Sequence, residues 1–312
     1  VKRRLALAGL GLLAGALIAH WLSRPRSPQP LAAGTRLAPE SLPHAPEPPP
    51  AERPGHAGTP PRAPAPVTLP VPRAARVPSW APAAAAFALL TAGLAAYYTW
   101  SEDLPDVPLW WEVAIIALLV IPATFALVLL ALPLRRERLL PLAVVALIGA
   151  AVVLEWQERG TAANFVKLAA LSGAGWFFLR FFEEVTWVLL VAILIIPVDI
   201  YSVAQGPTKQ ILEEQPEVFD RLSIAFPIPG EHAAAQLGLP DVLFFALFLG
   251  AADRFRLRTK LTWVACTLSF GATLALSVGF DLSGLPALPL LSAGFVIANA
   301  DLVWRRIRRR RG

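Results

Sequence analysis

The chain has 312 residues, 56% of them hydrophobic and 16% charged, with a formal net charge of +6. Ordinary soluble domains carry roughly 25% charged residues, so the composition excludes a soluble globular protein and points to a membrane one. The positive surplus lies in arginine clusters at the ends of apolar runs, which fits loops that set membrane orientation and argues against nucleic-acid binding.

Lys2, Arg3 and Arg4 precede the apolar stretch LALAGLGLLAGALIAHWL at 5–22. A basic leader before such a run predicts a signal anchor, and His20, Trp21 and Leu22 stand where a small-x-small cleavage site would fall. Residues 1–22 are therefore read as a signal anchor or first span. Residues 23–81 hold more than half of the 31 prolines and few large apolar side chains. Proline fixes φ and removes donors, so this segment is expected to be a disordered, polyproline-like tether and plain spacer.

Eight further helical spans are predicted near 82–100, 109–132, 139–156, 162–181, 185–204, 237–252, 260–280 and 285–304. Each is an apolar run of a length suited to crossing about 30 Å of hydrocarbon. With the first segment they make about nine, and the expected fold class is an all-α polytopic membrane protein. Trp110, Trp111, Trp156, Trp187 and Trp304 fall near the predicted ends, as interfacial aromatic belts require. The longest connection after the tether is 205–236, polar and acidic, and a basic tail occupies 305–312.

Arg135, Arg136 and Arg138 follow the third span, Arg254, Arg256, Arg258 and Lys260 the seventh, and Arg305 with its neighbours the ninth. Even numbers of spans separate these clusters, so they share one side with Arg180, and the positive-inside rule makes that side cytoplasmic. The 205–236 loop, with Glu213, Glu214, Glu217 and Asp220, then lies outside with the acidic string SEDLPD at 101–106. Lys2, Arg3 and Arg4 oppose this orientation; the three later clusters agree with one another. Lys167 and Arg180 are read as snorkelling at the ends of their span, and Asn299 and Asp301 as interfacial.

Two carboxylates stand apart. Asp199 lies in VLLVAILIIPVDIYSVA and Asp241 at the mouth of LGLPDVLFFALFLGA. An ionised carboxylate in hydrocarbon costs at least about 2.5–3.5 kcal/mol on insertion scales, so such groups face a partner or a wet cavity. Asp199 comes late in one span and Asp241 early in the next. Consecutive spans run antiparallel, which sets both at similar depth. Two adjacent carboxyls share a proton: the ionised one can take a proton from water while the other polarises a peptide carbonyl. The local alternative makes each aspartate structural, Asp241 after Pro240 serving as a helix N-cap. The histidines, His20, His44, His56 and His232, show no metal-ligand spacing.

The context LGLPDVLFFALFLG resembles the GxGD element of presenilins and signal peptide peptidases. VDIYSVAQGPTKQILEE resembles the presenilin span that carries the first aspartate and a following Gly-Pro, and LPALPLL at 285–291 is similar to the family's Pro-Ala-Leu motif. The three elements occur in the family's order over roughly 185–304. Val198 stands where the family has tyrosine, and Pro240 where it has the second glycine. The resemblance implies a presenilin-like arrangement, with 82–182 as non-catalytic and 183–304 as catalytic spans. It implies Asp199 and Asp241 as the catalytic dyad, with Gly238, Pro240, Pro286, Ala287 and Leu288 shaping the site.

The expected function is therefore an intramembrane aspartyl endopeptidase that hydrolyses peptide bonds within transmembrane helices. Its partners would be transmembrane protein or peptide substrates and the lipid bilayer, with no metal, organic cofactor or nucleic acid. Its expected place is the cell (cytoplasmic) membrane of a bacterium, spanned many times. Two alternatives stand beside it: a transporter using the aspartates as a proton relay, and a catalytically inactive presenilin-like binding protein.

Overall fold

The computed structural model describes residues 81–206, 216–282 and 284–311. The predicted first span and proline-rich tether lie outside the described residues. Among the described residues, eight helices of sixteen residues or more follow the predicted spans closely. They are α1 (Ala81–Trp100), α2, α3 (Leu140–Trp156), α4 (Gly160–Phe178), α5 (Val185–Ala204), α7 (Leu239–Arg254), α8 (Thr259–Gly279) and α9 (Leu288–Arg311). Helix α2 runs from Leu109–Ile115 through a π-turn at Ile116–Val120 into Ile121–Ala131. The π-turn sits just before Pro122, whose ring cannot follow a regular α-helical hydrogen-bond ladder; the Ile121 N–H donates five residues back, to the Ile116 carbonyl.

Among the described residues, five helices are long and apolar enough to cross a membrane: α1, α2, α4, α5 and α8. Helix α3 is apolar but has 17 residues. Helix α7 has 16 residues and is enclosed: Val242, Phe245, Ala246, Leu247, Phe248, Ala251 and Ala252 are all fully buried. A helix that is apolar on all sides belongs at the centre of a bundle, and α4, α8, α9, α5 and β2 all pack on it. Helix α9 continues as helix through the basic tail expected to follow it, and Arg308 lies over the Trp304 ring at 5.0 Å.

Aromatic side chains fill the space between α2, α7, α8 and α9. Phe125 meets Phe245 at 4.2 Å and Phe270 at 5.0 Å between ring centroids, and Phe248 stacks on Phe295 at 4.7 Å. Such pairs add about 0.5–1.5 kcal/mol each beyond the area they bury. Helices α4 and α7 approach to backbone contact, since a Cβ at Gly175 would lie 2.4 Å from the Leu243 carbonyl oxygen. Small residues allow this closeness where lipid gives helices no hydrophobic drive to associate.

The connection between α5 and α7 departs from an all-helical reading. Its described part holds a short helix, α6 (Pro216–Arg221), and an antiparallel hairpin of β1 (Ser223–Pro227) and β2 (Ala234–Gly238), paired Ser223 to Gly238 and Pro227 to Ala234. Pro229-Gly230 reverses the chain, with Gly230 at φ +81°, as a Pro-Gly turn requires. The seventh predicted span, placed at 237–252, thus begins in strand and becomes helix at Leu239.

The hairpin is pinned to the bundle at four places. Tyr97 donates its hydroxyl to the Pro227 carbonyl at 2.6 Å, and the Gly230 N–H donates to the Ser101 carbonyl at 2.8 Å. The Asn164 side chain both accepts from the Ala225 N–H and donates to its carbonyl, each at 3.3 Å, as a neighbouring strand would. Lys167 donates to the Ser223 carbonyl at 3.1 Å and pairs with Glu155. Lys167 is buried; it does not snorkel to the surface, because its ammonium has a carboxylate and a carbonyl within the protein. Asn299 is likewise fully buried rather than interfacial. It accepts from the Arg258 N–H and donates to Thr262 Oγ1 and the Phe295 carbonyl, locking α8 to α9. Asp301 forms a two-point pair with Arg258 at 2.9 and 2.8 Å.

Candidate functional site

Helix α5 buries Val185, Val188 and Ala192, a stripe of helical period, and Asp199 lies seven residues past Ala192 on the same stripe. The α5 residues Leu190, Ile193, Leu194, Val198, Ile200 and Tyr201 point outward. Asp199 is thus turned toward the protein on a helix whose other face is apolar and exposed, and it is half-buried. Pro197 stands within α5, two residues earlier. Lacking an N–H, it leaves a carbonyl one turn before it without its helical partner.

Helix α5 packs mainly on α9 and touches α7. This brings Asp199 to the start of α9, where the Leu288 N–H donates to Asp199 Oδ2 at 3.1 Å. Leu288 is the first residue of α9 and Pro289 the second. The opening turn of a helix has N–H groups without intrahelical partners. Asp199 satisfies the one on Leu288, and Pro289 has none to satisfy. Ala287 and Leu288 are buried and Pro286 half-buried, and Leu288 lies beside the carboxylate.

Asp241 belongs to the first turn of α7. Gly238 is the N-cap, in extended conformation at φ −61° and ψ 146°, followed by Leu239, Pro240 and Asp241. Asp241 is therefore the third helical residue rather than the N-cap, and its carboxylate lies against Gly238, with Oδ2 3.2 Å from where a Cβ there would stand. Pro240 falls in the first turn, where a missing N–H costs nothing and its fixed φ suits the helix. Asp241 is buried and close enough to Asp199 for the two charges to interact.

The seven sequence-predicted residues thus converge from three elements: Asp199 from α5, Gly238, Pro240 and Asp241 from the β2–α7 junction, and Pro286, Ala287 and Leu288 from the approach to α9. Each carboxylate lies at the start of a helix, where the helix dipole favours negative charge, and Asp199 accepts the Leu288 N–H there. Sequence reasoning did not find Tyr97, Asn164 and Lys167, which hold the hairpin that leads into Asp241. The one signal available was Lys167 itself, an amine inside an apolar run, with Glu155 near the end of the preceding helix as its partner. Among the described residues, no group of three histidine, cysteine or acidic side chains is arranged to hold a metal ion.

No family model matches the sequence, and no curated protein matches it.

Proposed function

We propose that this protein is an intramembrane aspartyl endopeptidase of the presenilin and signal peptide peptidase type, with Asp199 and Asp241 activating water between them. What supports the reading is that Asp199, beside Leu288 at the start of α9, and Asp241, beside Gly238 at the start of α7, lie within electrostatic range of each other. In this reading about nine spans, including residues 5–22, cross a bacterial cytoplasmic membrane in a presenilin-like arrangement.

The chemistry follows from the pair. With one proton shared between them, one carboxylate takes a proton from water as the oxygen attacks the peptide carbon. The other donates to the carbonyl oxygen, and the tetrahedral adduct collapses with protonation of the leaving amine. The Leu288 N–H helps hold the Asp199 carboxylate in position. A substrate helix must unwind before its peptide bond is reachable. Strand β2 has β1 on one edge among the described residues, and its other edge offers backbone donors and acceptors for an extended segment. Because β2 runs directly into Asp241, such a segment would lie beside the carboxylates.

A second reading rests on the same placement: both aspartates lie at helix starts and serve the fold alone. The decisive experiment reconstitutes the purified protein with a labelled transmembrane peptide and compares it with Asp199→Asn and Asp241→Asn. The peptidase reading expects cleavage in the unaltered protein and none above background in either variant, with both variants folded. Cleavage that persists in a folded variant would falsify the dyad; no cleavage by any of the three leaves the second reading in possession.

A further inference from the structure

At the far end of α7 from Asp241, about 20 Å away at 1.5 Å per residue, lies a cavity of roughly 290 Å³. Arg135, Arg136, Arg138, Arg180, Arg254 and the Trp176 ring line it. The sequence expects these arginines to share one side of the membrane, and the fold gathers them around one hollow between the ends of α2, α4 and α7 and the start of α3. Five guanidiniums face few acids. Arg135 pairs with Asp253, its Nε donating at 2.8 Å, and Arg136 reaches the same carboxylate at 3.4 Å. Arg180 donates to the Glu137 carbonyl and Arg254 to the Leu179 carbonyl. Among the described residues, five arginines and no acidic residue line the hollow, so its wall carries a positive surplus.

A second observation points to a ligand. The Trp176 Nε1–H is buried and has no hydrogen-bond partner among the described residues, and the Trp176 side chain forms part of the cavity wall. A buried, unanswered donor is costly to the fold. Together these groups supply one neutral and several charged N–H donors, and arginine matches phosphate oxygens with two parallel bonds.

Free phosphate and a lipid headgroup share this chemistry. The rim distinguishes them, since Leu139, Leu142, Phe178 and Phe181 are exposed apolar side chains immediately beside Arg138 and Arg180. An acyl chain would cover such a rim; a free anion would leave it bare. We propose that this cavity binds the phosphate headgroup of an anionic phospholipid, with its acyl chains on that rim. Basic hollows between membrane helices are suited to such headgroups. The inference does not depend on the peptidase reading.

The test is native mass spectrometry of the full chain in detergent, titrated with dioleoyl phosphatidylglycerol or dioleoyl phosphatidylcholine. The unaltered protein should bind the anionic lipid at least tenfold more tightly. Arg138→Gln/Arg180→Gln, which changes two exposed residues, should lose that preference, and Trp176→Phe, which keeps a ring but removes the N–H, should weaken it severalfold. Melting curves in detergent identify folded variants; if the double variant does not fold, Arg138→Gln alone is expected to reduce the preference. Equal binding of the two lipids, or an undiminished preference in the folded arginine variant, overturns the proposal. Displacement of the lipid by equimolar inorganic phosphate overturns the lipid assignment as well.

Discussion

The Leu288 N–H donates to Asp199 Oδ2 across 89 residues of chain, at 3.1 Å. The start of α9 and the carboxylate on α5 therefore hold each other in place, and this bond separates structure from chemistry. Asp199→Asn keeps an oxygen that can accept from Leu288 but cannot serve as a base. Asp199→Leu removes both functions. Cleavage of a transmembrane peptide is expected to fall about 10²–10⁴-fold in each. Thermal unfolding in detergent should show an added loss of about 1 kcal/mol, the worth of a helix cap, in the leucine variant alone.

A pair that works with one proton must lose activity on both sides of an optimum. At low pH both carboxyls are protonated and no base remains; at high pH both are ionised and no acid remains. A bell-shaped dependence of kcat/KM is expected, its two limbs belonging to the pair rather than to either residue. Measured on the reconstituted protein, a profile flat across the acid and neutral range would count against shared-proton chemistry.

Lys167 is buried between Glu155 and the Ser223 carbonyl. Lys167→Met strands the Glu155 carboxylate and removes one of the bonds that pin the hairpin. Breaking a fully buried pair costs about 3–5 kcal/mol. Because a quarter of the Glu155 side chain is exposed, the expected loss is nearer 2–3 kcal/mol on that scale. Lys167→Met/Glu155→Leu should recover much of it, since no uncompensated charge is left. Denaturation of the single and double variants gives the comparison directly.

Asn164 touches neither carboxylate but makes both bonds to Ala225. Asn164→Leu leaves a strand N–H and carbonyl without these partners, at about 1–3 kcal/mol. Hydrogen exchange across 223–238 should quicken while that of α7 beyond its first turn does not. Peptide cleavage should drop, because β2 leads into Asp241. Unchanged exchange in the hairpin would show that Asn164 is not what pins it.

Pro240 stands where the resembling family has glycine, yet it occupies the first turn of α7, where the backbone is helical and no N–H is needed. Pro240→Gly gives freedom back to the unfolded chain and should lower stability by about 0.4–1 kcal/mol. Cleavage by Pro240→Gly should remain within severalfold of the unaltered protein. A large gain instead would mean that the proline restrains the site.

The helices were legible in the apolar runs. Each apolar run must satisfy its own backbone away from water, so the run length sets the helix, and the predicted ends of α1, α3 and α5 match closely. The sequence also set Asp199, Asp241 and the Pro-Ala-Leu string at depths that allowed them to meet, because neighbouring runs alternate in direction. What each polar group does depends instead on how the helices pack. Lys167 finds Ser223 across 56 residues, Asn164 finds Ala225 across 61 and Asp199 finds Leu288 across 89. The hairpin's five-residue strands carry too brief a pattern to be recognised alone, and they are held by those distant side chains. Local sequence encodes hydrogen bonds within a helix, whose partners lie four residues apart. The partner of a buried polar side chain is chosen by how the helices pack, and no local periodicity records that.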